Sequence, residues 1–70
     1  MMNYYIINKN TDNNGNNEVH TSECTHLPSI FNQVSLGYFS NGKDAVAYAK
    51  KNGYPNADGC YYCANEAHKG

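Results

Sequence analysis

Seventy residues allow one small domain, residues 1–70, and leave no room for a second. The hydrophobic set reaches 40 %, but seven of its members are tyrosines, six are alanines and three are cysteines, while Leu, Ile, Val and Phe together number only ten. A core of that size supplies roughly 3–5 kcal/mol at best, so the composition asks for a metal, a disulfide or a partner chain to hold the fold. With a net charge of −1 and 13 % aromatic residues, disorder is a poor reading.

Other classes fall away on the same grounds. No run approaches the roughly 18 apolar residues of a membrane span. No charged segment followed by an apolar one opens the chain, so a cytoplasmic setting is expected. Five lysines, no arginine and a pI near 6.2 give little basic footprint for nucleic acid.

Tyr4-Tyr5-Ile6-Ile7 is aromatic and β-branched, with apolar groups on both faces, and predicts a central strand. Residues 8–17 are asparagine-rich, and Asn14-Gly15 is the best dipeptide for a hairpin turn. Glu18 to Thr21 is the returning strand. Cys24 to Gln33 is a loop interrupted by Pro28, with a short helical turn at residues 29–32. Val34 to Phe39 predicts a third strand. Ser40 or Asn41 offers an N-cap for a helix over 43–52, where Asp44 suits the positive end and Lys50 and Lys51 the negative end. Gly53 and Pro55 terminate it. Its buried stripe is expected at Ala45, Val46, Tyr48 and Ala49, and Asn56 to Gly59 reads as a turn into Cys60. The expected fold is α+β: a three-stranded, mainly antiparallel sheet with one helix, stapled by a zinc knuckle.

The staple comes from two spaced pairs, His20-x3-Cys24 and Cys60-x2-Cys63. Structural zinc takes four thiolate or imidazole ligands, and three cysteines with one histidine is a standard set. A metal joining the pairs closes a loop of roughly 40 residues, where a cross-link constrains the chain most. Other readings exist for the same residues. Cys60 and Cys63 are small enough to be plain core residues, or form a redox C-x-x-C pair, and Cys24 could join either in a disulfide. His68 and His26 compete with His20 for the fourth position, with simple exposure as the ordinary reading of both.

The run Val19-His20-x3-Cys24-x2-Leu27-Pro28, then Phe39-Ser40, Ala45 and Ala49 on a helix, Gly53, and Cys60-x2-Cys63 resembles the Ada-type metal-binding module. That is the small zinc domain of the adaptive-response methyl-transfer protein and of some bacterial nucleases. The layout is also similar to that of short uncharacterised bacterial proteins. The resemblance implies His20, Cys24, Cys60 and Cys63 as zinc ligands. In the methyl-transfer protein the first ligand is the methyl-accepting cysteine. His20 stands there in this chain, so the resemblance implies the fold and the metal without the methyl-transfer chemistry.

No catalytic constellation is visible, and Glu18, Glu23, Asp44 and Glu66 read as ordinary solvated charges. The expectation is a non-enzymatic, zinc-stabilised domain that binds a protein partner, with Tyr61 and Tyr62 as recognition candidates, the ordinary reading being that one packs on the sheet and the other shields the metal. A nucleic-acid-binding module and a thiol–zinc redox sensor are the alternatives.

Overall fold

The structure is a computed structural model, and it describes residues 2–68. The aromatic and β-branched run predicted as a central strand is β1, Asn3–Asn8. It pairs antiparallel with β2, Asn17–Thr21, on one side and with β3, Gln33–Phe39, on the other. Period-two alternation then sorts its side chains. Tyr5 and Ile7 point to one face with Val19 of β2, while Ile6 lies opposite His20 on the other. All five are buried.

The hairpin between β1 and β2 turns at Asp12–Gly15, with the Gly15 amide donating to the Asp12 carbonyl and Gly15 at a φ of +80°. Asn13 and Asn14 are therefore the central residues, one position earlier than the dipeptide signal suggests. The Asp12 carboxylate accepts from the amides of Asn14 and Asn16, and the Asn17 side chain donates to the carbonyls of Asn8 and Lys9 across the loop. The polar run is thus a self-bonded loop.

Helix α1 covers Gly42–Lys51. The Asn41 side chain caps it by accepting from the Asp44 amide, and Glu66 takes the otherwise orphan amide of Gly42. At the other end Gly53 adopts a φ of +103° and the Tyr54 amide bonds back to the Ala49 carbonyl, a Schellman stop. Ala45, Val46 and Ala49 face the sheet, and the two alanines let the helix lie close to Tyr5, Ile7 and Val19. Tyr48 does not join that stripe. It falls at the margin, 44 % exposed, with its ring against Phe39.

The sheet has four strands rather than three, in the order β3-β1-β2-β4, and it is mixed rather than antiparallel throughout. The fourth strand, β4, is Ala57–Gly59, the segment whose sequence reads as a turn, and it pairs parallel to β2. Its three residues carry no apolar alternation to announce a strand. What makes them one is the neighbouring backbone. The Asn17 amide donates to the Asn56 carbonyl, and the Cys60 amide donates to the Val19 carbonyl. Two single 3-10 turns complete the described residues, Ile30–Asn32 before β3, where a short helical turn is expected, and Asn65–Ala67 after Cys63. No helix among the described residues is long and apolar enough to cross a membrane.

Candidate metal centre

The parallel pairing of β4 with β2 assembles the site. Glu18 is level with Asp58 and Val19 with Gly59, so one further step sets Cys60 beside His20. Cys24 arrives from the turn after β2, where its amide donates to the Thr21 carbonyl. Cys63 arrives on the turn that follows β4, closed by the Ala64 amide bonding to the Cys60 carbonyl. Gly59 permits that turn to sit so tightly. A Cβ there would run into the Ala64 carbonyl oxygen, too close for any other residue without displacement.

The result is a four-residue cluster. One donor atom from each of His20, Cys24, Cys60 and Cys63 lies within 4.8 Å of every other. The Cys24 and Cys60 sulfurs are 3.8 Å apart, and the Cys63 sulfur is 3.9 Å from His20 Nδ1. Two thiolates bound tetrahedrally at about 2.3 Å from one zinc ion are separated by about 3.8 Å. The spacing and the donor types therefore fit a tetrahedral metal ion held by three sulfurs and one imidazole nitrogen.

The surroundings suit that chemistry. His20 is 1 % exposed, and burial, with a smaller contribution from His26, lowers its pKa, leaving the imidazole neutral as a ligand must be. Its Nδ1 faces Cys63, while Nε2 faces the Glu18 carboxylate at 3.6 Å. A carboxylate behind a metal-binding histidine fixes its tautomer and raises its basicity. Glu18, which reads as a solvated charge in the sequence, is here the carboxylate nearest the far side of the His20 ring.

Backbone amides point at two sulfurs, that of Thr21 at Cys63 and that of His26 at Cys24. Such donors favour thiolate. Against them, burial and then the neighbouring Cys24 and Cys60 push the Cys63 thiol up to about 12. A thiol held that high stays protonated at neutral pH unless a cation neutralises its thiolate.

The two competing histidines are elsewhere. His68 places Nδ1 3.0 Å from the Gly59 carbonyl oxygen and 3.5 Å from the Asp58 carboxylate. It ties the C-terminal turn to β4. His26 is exposed, and its ring stacks on Tyr62 at 3.8 Å and 19°. That stack joins the Cys24 turn to the turn between Cys60 and Cys63. Tyr61 meets Tyr62 edge-on, and both tyrosines are exposed. The three cysteines form no disulfide.

Comparison with protein-family models, with curated proteins and with solved structures finds no match for this chain.

Proposed function

We propose that this chain is a structural zinc domain in which His20, Cys24, Cys60 and Cys63 hold the ion, and that it serves as a protein-binding module. The observation that carries the metal reading is the convergence of four soft donors within 4.8 Å from two segments roughly 40 residues apart. The resemblance to the Ada-type module points to the same four positions. Thiolate-rich tetrahedral sites select zinc among the abundant divalent ions, and four protein ligands leave no open position for water. The ion would therefore contribute folding free energy and leave hydrolysis aside.

The partner surface is assigned to the rings that ride on the ligand turns. Tyr61, Tyr62 and His26 stand on the two segments that the ion would join, so metal binding would fix their relative positions. Exposed tyrosines offer large contact area with a polar handle.

Elemental analysis of protein purified without a histidine tag tests the metal. One zinc per chain, lost with the tyrosine near-ultraviolet circular dichroism on adding a chelator, is the expected result. A folded, metal-free protein whose spectrum ignores the chelator would overturn it.

A further inference from the structure

The opposite border of the sheet carries a different kind of surface. β3 is an edge strand, and beyond its ladder with β1 the backbone of Val34–Phe39 makes no other hydrogen bond among the described residues. Edge strands of monomers are normally blunted by charge, proline or brevity. This one has none of these. It is seven residues long, it contains no proline, and no Asp, Glu, Lys or Arg occurs anywhere between Glu23 and Lys43.

The exposed apolar side chains gather along the same border. Of the seven large exposed ones described, Tyr61 and Tyr62 belong to the candidate metal centre, and the other five lie on or beside β3. Ile30 and Phe31, 76 % and 85 % exposed, precede it, and Tyr38 is on it. Met2 adjoins Asn3, the partner of Phe39, and the Tyr48 ring packs on Phe39. Solitary exposed apolar residues need no explanation, but five along one open edge do.

We propose that β3 is the self-association edge of this protein, pairing antiparallel with β3 of a second copy about a two-fold axis. The distribution of the apolar groups selects a second copy as occupant. They sit at both ends of the strand, so reversing one copy against another brings the Ile30–Phe31 end of each to the Tyr38–Phe39 end of its partner, twice. The bulge opposite Tyr5 and Ile6, with Gly37 at a φ of +111°, bends the strand beyond Leu36. The ladder therefore uses the straight part before Leu36, where the backbone groups of Ser35 face outward, with the axis level with Ser35 so that it meets Ser35 of the second copy. With no charge along the border, nothing repels the approach. A two-fold contact of this kind closes on itself and stops at a dimer.

Sedimentation equilibrium of the full chain as purified, over a rising concentration series, tests the pairing. The expected result is a reversible monomer–dimer equilibrium, with amide exchange at Ser35 slowing as the dimer fills. Ser35 and Phe31 are exposed, so Ser35→Lys and Phe31→Ser leave the fold intact. Each should weaken the dimer by at least about tenfold. Tyrosine circular dichroism and bound metal should stay unchanged in both variants. A chain that stays monomeric at the highest concentration overturns the proposal and returns the edge to a strand of some other protein. So does a dimer indifferent to both substitutions, or one whose protected amides lie at Tyr61 and Tyr62. None of these readings depends on the zinc assignment, because metal content is measured separately.

Discussion

The helix-packed face of the central strands and the β4 border of the sheet are both buried, yet they are held by different forces. On the helix side, Tyr5, Ile7 and Val19 pack against Ala45, Val46 and Ala49, and the three sheet residues alone carry most of the apolar mass. Around β4 the buried residues are Ala57, Asp58, Gly59, Cys60, Ala64 and Ala67. Their exposure is as low, but their side chains are small or polar. Burying an isoleucine is worth about 1.5–3 kcal/mol, whereas an alanine methyl contributes about a third of that. Backbone hydrogen bonds and the Glu66 cap on Gly42 position the β4 region, and a metal ion is what would lock it. Low exposure is therefore a poor guide to what stabilises a segment.

The sharpest way to break this comparison is to deprive the proposed site of its ion. Structural zinc contributes about 10–16 kcal/mol of apparent free energy in small domains, more than the helix-side core can replace. Cys60→Ser, or a chelator, should therefore abolish most tertiary structure. Amide exchange should show residues 57–68 opening first and furthest, with β1 and β2 retaining the most protection. Uniform loss across both regions would mean that the two are not separable.

A core substitution probes the helix-packed face. Ile7 is fully buried among Val19 and the helix. Ile7→Ala should cost about 2–5 kcal/mol, read as a lower denaturant midpoint of the metal-loaded protein. Zinc should remain at one per chain, because Ile7 points away from the ligand face. Loss of metal in this variant would tie the core to the site more closely than the sheet geometry does.

The contrast also explains how much could be read from the sequence. β1, β2, β3 and α1 were legible because their signals are local: apolar and β-branched runs, the Asn41 cap, and Gly53 at the stop. The four clustered residues were legible from spacing, since two close pairs exhaust the cysteines. β4 was not, because Ala57-Asp58-Gly59 becomes a strand only through its pairing with β2, a long-range event that leaves no local trace. Glu18 was missed for a related reason. Its role depends on sharing a strand face with His20, and the i, i+2 spacing in β2 was the available signal.

Glu18 offers a finer test of the site. Glu18→Gln keeps the shape and removes the charge behind His20. Metal affinity should fall by about tenfold, the lower end of the 10–100-fold range for such partners, because an amide oxygen can still face Nε2. Competition against a chromophoric chelator measures it. The helix-side core should be unaffected, so the denaturant slope should not change.

The smallest effect is a change of sign with pH, and it separates the metal-free from the metal-loaded state. In the metal-free chain, folding lowers the His20 pKa by burial, so the unfolded state binds more protons as pH drops below about 6.5 and stability falls there. Folding raises the Cys63 pKa to about 12, so the folded state holds a proton that the unfolded state releases above about 8.5. Residual structure in the metal-free chain should thus peak between those limits and decline on the alkaline side. With zinc bound the thiols are already deprotonated in the folded state, so stability should keep rising with pH until the unfolded thiols have ionised near 8.5. Chemical denaturation at pH 7 and pH 9, with and without zinc, reads the difference. An alkaline loss in both states would show that the sulfurs stay protonated and that no metal neutralises them.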